Sequence, residues 1–438
     1  MRNFLPFLLL AFTNIAIAQT NTKYLIRAGS LFDSETGQFR DDMTILVTDN
    51  HITAVKPAKE VTRQEEQDRQ VIDLSKYTVL PGLIDAHTHL LNREILHPGN
   101  DFDGLDMARQ LMMDGDAYRA IYGAARARAY LEAGITAVQD LGNSGEFADI
   151  ALRRTIREGL VAGPRMRCAG KGLSSQGGQM PGTIYKHQSV INDEYRIVRG
   201  PDDGVQAVRE NITQGADVIK IYSNNTPNNT YLSIAEMQAI VGEAHRYHIR
   251  VTAHATNNQA VYNAVVAGVD GIEHGYEVAD STLELMAKKG VVLVPTDLDS
   301  VTFTQYVKLI APSNPDEMMR EIMGYRAYLG TRLRRAIQKG VTIVAGSDDY
   351  VDFKLPFAEP SKRTLIGYHE SGIAIPQVLQ FATINASRQL NWAGKIGVLK
   401  TGYLADIIAV DRDLEKNIDA ILHVHFVMKD GKVITAVK

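Results

Sequence analysis

One cysteine in 438 residues, Cys168, excludes any intrachain disulfide, so stability has to come from packing, with a metal the one other source left open. Charge of one sign is also scarce. The formal balance is −4 and no Lys/Arg-rich run stands out, which removes the electrostatic case for nucleic acid. No apolar run is long enough to span a bilayer. Internal repeats are missing, and the only biased tract is the Asn/Thr-rich 223–230. What remains is ordinary for a globular protein, with 45% apolar and 22% charged residues. The length suits a large barrel with a companion domain.

The first eighteen residues differ from the rest. Arg2 gives a positive start, Phe4 to Phe12 an apolar core, and Ala16-Ile17-Ala18 a small-x-small cleavage pattern. We therefore expect a signal peptide over 1–18, cut after Ala18, and a secreted or periplasmic protein. No cysteine sits at the cut, so neither a lipid anchor nor another membrane anchor is expected after cleavage. Residues 19–78 and 393–438 read as short strands with turns, among them Tyr24–Ala28, Met43–Val47, His51–Val55 and Asp406–Val410. Two β-rich ends predict one small β-sandwich built from both termini.

Between them, residues 79–392 alternate short β-prone runs with helical segments. The runs are 79–86, 135–141, 165–169, 218–223, 251–255, 271–274, 291–296 and 342–347. Such alternation calls for a parallel sheet, and eight units are the count of a TIM-like (β/α)8 barrel. The fold class expected is thus α/β, a TIM-like barrel with a small β-sandwich.

Active sites of such barrels lie at the C-terminal strand ends. The stretch VLPGLIDAHTHL (79–90) places His87 and His89 there, one residue apart and on one face. Lys220 lies in the fourth strand, His254 ends the fifth, His274 the sixth and Asp348 the eighth. Strand alternation turns Glu273 away from His274, so Glu273 is not expected to be a ligand. Asp85 falls on the histidines' face one layer deeper, where it would support them. Asp140 reads equally as a ligand support or a loop cap. An ammonium repels cations, but carbon dioxide added to a neutral Lys220 amine gives a carbamate able to bridge two metals. Four histidines, one carboxylate and that carbamate suit two divalent ions, Zn²⁺ foremost. Paired ions would activate water and polarise a carbonyl. Asp348 would then carry the proton to the leaving group.

These pieces, in order, resemble the amidohydrolase superfamily, and within it the imidazolonepropionase-related and prolidase-like branch. The residues are Pro81-Gly-Leu-Ile-Asp-Ala-His-Thr-His89, Gly134–Val138, Gly215–Lys220, Val251–Ala255, Gly271–Gly275, Gly346-Ser-Asp348, Ala386 with Gly394–Gly397, and Gly402–Asp406. The resemblance implies His87, His89 and Asp348 on one metal, His254 and His274 on the other, and carboxylated Lys220 between them. It also implies a tyrosine, Tyr222, beside the metals, where it would donate to a developing oxyanion. Prolidase-like relatives carry Gly-Gly-His after the third strand; here the segment is Gly177-Gly178-Gln179, which makes Gln179 a substrate-contact candidate. The His-Gly-x-Asn stretch usual after the last aspartate is replaced by 353–360.

The expected function is a metal-dependent hydrolase of C–N amide bonds, a dipeptidase or prolidase-like enzyme acting on a small molecule or dipeptide. A cyclic-amide hydrolase of the imidazolonepropionase kind, or a lactone or phosphotriester hydrolase, is the alternative, ahead of a deaminase and of a non-catalytic binding barrel. A homo-oligomer is compatible with the sequence. Elsewhere, His423 and His425 are expected to pack in the C-terminal β-region, His245 and His248 to lie on a solvated helix face, and Cys168 to be a small buried apolar residue.

Overall fold

The computed structural model describes residues 22–99, 105–180, 185–226 and 228–437, so the leader expected over 1–18 lies outside it. The first strands are β1 Lys23–Asp33, β2 Gln38–Thr48, β3 His51–Pro57 and β4 Gln70–Pro81. Strands β5 Leu83–Thr88, β6 Ile135–Asp140, β7 Arg165–Cys168, β8 Gly172–Ser174, β9 Tyr195–Ile197 and β10 Val218–Tyr222 follow. After the small hairpin β11 Asn224–Asn225 and β12 Thr230–Tyr231 come β13 Arg250–Ala255, β14 Gly271–His274 and β15 Val292–Val294. The chain closes with β16 Ile407–Asp411, β17 Val424–Lys429 and β18 Lys432–Thr435.

Both chain ends meet in one seven-stranded sheet, ordered β18-β17-β16-β4-β1-β2-β3, where a two-sheet sandwich was expected. Side chains alternate across it. Leu31, Val79, Ile407, Ala409, Phe426 and Met428 build a core on one face. Their neighbours Phe32, Leu80, Ile408 and Val427 join the main core on the other. Burial on both faces explains why these strands read as apolar runs rather than clean alternation. The expected first barrel strand, 79–86, is in fact two. Val79 to Pro81 pair with β16 in the terminal sheet, and β5 begins after Gly82. A Cβ at Gly82 would stand 2.1 Å from Thr136 Oγ1, so only glycine fits this joint.

The middle of the chain is α/β. Its parallel strands fall into two sheets, β5-β6-β7 and β15-β14-β13-β10-β8-β9, rather than one closed ladder. Asp217 N–H donates to Cys168 O (2.8 Å) between them on one side. On the other runs the segment predicted as the eighth strand, 342–347, which is extended but irregular. Val344 N–H bonds Leu293 O (2.9 Å), and Ala86 N–H bonds Ala345 O (2.9 Å). Gly346 presses so close to β5 that a Cβ there would meet His87 Cβ at 2.8 Å.

Helices cover the strands, each anchored by an apolar stripe and punctuated by its caps. Ile234–Arg246 starts with a Ser233/Glu236 capping box, and Asn258–Ala267 ends at Gly268 with φ +97°. Past the C-terminal strand ends, Ser300–Ile310 and Pro315–Gln338 form a satellite core with the loops after β5 and after Asp348. It contains Leu96, Tyr306, Val307, Ile310, Val351 and Phe353. No helix among the described residues is long and apolar enough to cross a membrane.

Candidate metal centre

Register brings the predicted ligands together. Tyr222 of β10 is level with His254 of β13, and Ala255 with His274 of β14. Asp348 N–H donates to His87 O (2.8 Å), which locks the last ligand beside the first. His89 Nε2 lies 3.1 Å from Asp348 Oδ1 and 3.3 Å from His87 Nε2. His87 Nε2 is 3.4 Å from both Asp348 Oδ1 and Lys220 Nζ. His274 Nδ1 is 3.9 Å from Asp348 Oδ2, and the His254 and His274 rings are 4.7 Å apart, centre to centre. All six predicted ligands thus converge, and the ligand atoms of His87, His89 and Asp348 lie within 4.8 Å of one another.

The donor set fits a metal on an observation independent of family. His89 Nδ1 is engaged by Gly142 O (2.9 Å) and His274 Nδ1 by Thr296 Oγ1 (2.9 Å). Thr296 Oγ1 itself donates to Pro295 O (2.8 Å), so it accepts from the ring. With Nδ1 of His89 given to a backbone carbonyl, its Nε2, which faces His87 and Asp348, is the nitrogen left for a metal. His254 Nε2 is buried without a hydrogen-bond partner among the described residues. An orphaned ring nitrogen next to three others is costly unless something else binds it.

Electrostatics point the same way. Burial, and then the Lys220 charge, hold His87 well below the usual imidazole range. His254 is shifted in the same direction for the same two reasons. Burial, reinforced by His254 and its neighbours, does likewise at His274. His89 is raised, because its hydrogen bond to Asp348 and that carboxylate's charge outweigh its burial. Asp348 is lowered despite burial by His87 and His89. Lys220, 1% exposed, is pulled below the usual lysine range by burial, against the opposing pull of Glu273 and Asp348. That direction favours the neutral amine a carbamate needs.

Glu273 corrects the strand-alternation argument. His274 has φ +71°, which ends the alternation at that residue, and Glu273 faces the centre instead of the helices. Its Oε2 lies 2.7 Å from His87 Nδ1, although the pair misses hydrogen-bond angles, and its Oε1 accepts from Thr252 Oγ1. Glu273 thus backs a ligand ring without being a ligand. Asp85 also departs from expectation. The register of β5 slips between Asp85 and Thr88, and the carboxylate turns to Ser361 Oγ (2.6 Å) on the helix Glu359–Glu370. From there it accepts the N–H groups of His87 and Ser347, both 3.0 Å, so it fixes the backbone of two ligand loops rather than a ring. Asp140 resolves as a loop cap, accepting Leu90 N–H (2.7 Å) and Thr88 Oγ1 (3.2 Å).

Tyr222 lies beside the centre, its ring 5.2 Å from that of His254 and 5.4 Å from Lys220 Nζ. Gln179 spends its amide on Asn224 O and Thr226 N–H, both 3.1 Å, so it ties two loops together. Two residues the sequence did not single out are Asn143, against Tyr222, and Thr296, against His274. Both stand at positive φ in loops, a placement no local pattern announces. His423 and His425, in the C-terminal β-region, both hold Asp411, at 2.7 and 2.6 Å. His245 bonds Asp270 (3.0 Å) on a half-exposed helix face. Cys168 is buried, as expected.

Comparison with known proteins gives the same neighbourhood. The sequence pattern of the amidohydrolase family matches residues 78–436. The chain is similar to an ochratoxinase of Aspergillus niger, 27% identical over 388 residues, covering 81% of this chain and 75% of that one. It is similar to an imidazolonepropionase of Symbiobacterium thermophilum, 26% identical over 385 residues, with 82% and 81% covered. Among solved structures, a Xaa-Pro dipeptidase with methionine in its active site superposes with a TM-score of 0.78. It is 27% identical, with 95% of this chain and 100% of that one covered.

Proposed function

Since the chain belongs to the amidohydrolase family, we propose that it hydrolyses C–N amide bonds of small substrates at a centre of two divalent ions, Zn²⁺ foremost. His87, His89, Lys220, His254, His274 and Asp348 would hold them, with dipeptides, X-Pro members included, as the leading substrates. One observation carries this reading: six side chains from five segments converge, with the ligand atoms of His87, His89 and Asp348 within 4.8 Å of one another. The similarity to a Xaa-Pro dipeptidase supports the substrate class. The order of strands and helices, with that similarity in fold, supports a TIM-like barrel. The leader pattern around Ala16-Ile17-Ala18 supports action outside the cytoplasm.

When bound, the metal supplies a Lewis acid that lowers the pKa of water and polarises the scissile carbonyl. Lys220 in its neutral form would take up carbon dioxide, forming an N–C bond and releasing a proton, to give a carbamate oxygen pair. Asp348, whose side chain is 21% exposed while the histidine ligands beside it are nearly sealed, is the base with access to the mouth. It would take the proton of the attacking water and pass it to the leaving nitrogen. Tyr222 would direct its hydroxyl at the carbonyl oxygen as charge develops there.

The test is metal content of the purified chain alongside hydrolysis of a dipeptide library. About two ions per chain with turnover are expected. Lys220→Ala should lose about one of them, with partial rescue by short carboxylates, and unchanged stoichiometry would refute the carbamate. Asp348→Asn should lower kcat by roughly 10³-fold or more while the protein stays folded.

A second reading has its own observation. From His274 a row of rings runs outward through Tyr276 (5.3 Å), Tyr325 (6.3 Å) and Tyr328 (6.4 Å), the last two 44% and 43% exposed. Such a wall favours amides carrying a flat aromatic group.

A further inference from the structure

The turn after β6 does two jobs with consecutive residues. Gly142 gives its carbonyl to His89 Nδ1 (2.9 Å). Asn143, 6% exposed and in the left-handed region at φ +57°, reaches two tyrosines with one amide. Its Nδ2 donates to Tyr195 OH (3.2 Å), and its Oδ1 accepts from Tyr222 OH at 3.5 Å. Tyr195 and Tyr222 are themselves in hydroxyl contact, and Gln179 N–H also donates to Tyr195. The turn is held from behind by Arg119, 2% exposed, on the helix Gly115–Glu132. Its guanidinium donates to Asn143 O and pairs with Glu194, and Glu194 Oε1 accepts Gly145 N–H (3.2 Å). A buried ion pair thus backs the turn that carries Asn143.

We propose that Asn143 is a positioning residue that acts through Tyr222, an inference that rests on the hydrolytic reading above. A phenol hydroxyl keeps its hydrogen near the ring plane and can turn it toward either neighbouring ring carbon. The Asn143 amide oxygen gives it an acceptor on one side, and the same amide holds Tyr195, the other hydroxyl within reach, in place. At 3.5 Å the bond is long enough to orient the O–H without holding it tightly. A substrate oxygen gaining negative charge is the stronger acceptor and takes the hydrogen bond over. Asparagine suits the place twice, since it tolerates positive φ and offers donor and acceptor together.

The experiment is a double-mutant cycle on the full metal-loaded chain with Asn143→Gly, which keeps the left-handed backbone, Tyr222→Phe, and the two combined. The X-Pro dipeptide turned over fastest is the substrate, and calorimetric binding of its phosphonate analogue is a second readout. Each single variant should lower kcat about 10–100-fold with KM within ~3-fold, and weaken phosphonate binding in parallel. Metal content should not change. The double variant should be no worse than Tyr222→Phe within ~2-fold. Asn143→Asp, which keeps the acceptor, should recover most of kcat. Losses that multiply in the double variant, or metal lost from Asn143→Gly, would overturn the proposal and make Asn143 a structural part of the turn. If Asn143→Gly does not fold, the cycle runs with Asn143→Asp, whose smaller loss should again not add to that of Tyr222→Phe. Metal loading without turnover of any amide would refute the hydrolytic reading alone, and the phosphonate cycle would still decide the role of Asn143.

Discussion

Asp149 is fully buried on the helix Ala148–Arg157, away from the metal centre. Its oxygens accept Gly170 N–H and Ile150 N–H, both 2.9 Å. Burial, and then the charge of Asp140, push its carboxyl from 3.8 up to about 7. The sign of the consequence follows from linkage. The folded chain keeps this proton where the unfolded chain has already released it. The favourable contribution is therefore complete below about pH 4 and is lost as pH rises through about 7. Asp149→Asn cannot ionise. Relative to it, the unaltered protein should lose about 3 kcal/mol of stability between pH 4 and 7, read by urea denaturation at stepped pH. Parallel pH profiles would mean that Asp149 is already ionised in the fold at pH 4. Single residues also mark the limit of reading a sequence. His87, His89, His254, His274 and Asp348 were legible because strand ends are where such barrels hold their chemistry. The inward turn of Glu273 was not, because a left-handed backbone at His274 cancels the alternation that sequence reasoning relies on.

Among the elements, the helix Pro315–Gln338 has a face that the core does not need. Leu329, Leu333 and Ala336 are buried, yet Tyr325 and Tyr328 stay nearly half exposed in line with His274. If that row seats a flat substrate group, Tyr325→Ala should raise KM about 10-fold for amides with an aromatic group and leave aliphatic dipeptides within ~2-fold. Stability should fall by about 1 kcal/mol, since a little over half of the residue is buried. Equal effects on both substrate types would remove the wall from specificity. The parallel strands β5, β6, β10, β13 and β14 were readable because each sets apolar or β-branched residues just before a polar one. The eighth was readable only as a place. Gly346 lets 342–347 crowd against His87, and the tight approach that delivers Asp348 costs the regular ladder a strand would show.

At the scale of the whole molecule, the two chain ends form one sheet whose outer face the sequence could not assign. Leu80, Ile408 and Val427 are apolar because they meet the main core, while Val79, Ile407 and Phe426 meet their own. A run apolar on both faces looks the same in either of two sheets or in one. Beside that shared core, Arg165 of β7 ties the terminal sheet to the α/β part by a polar contact. Its Nη2 bonds Asp430 Oδ1 (2.6 Å) and Asp406 Oδ2 (3.2 Å). The Asp406 side chain is 2% exposed, and burial raises its carboxyl above the usual range in spite of Arg165. Truncating the arginine would leave that carboxylate buried without its partner, which costs more than the pair itself contributes. Arg165→Met should therefore destabilise the chain by about 2–4 kcal/mol in urea denaturation. Adding Asp406→Asn should return part of that loss, because the unpaired charge is then gone. Arg165 opens β7 at the end opposite the ligands, so kcat in the folded fraction should stay within about 2-fold of the unaltered protein. A fall in kcat matching the loss of stability would mean instead that the terminal sheet holds the strand ends of the metal centre in place across the length of the parallel strands.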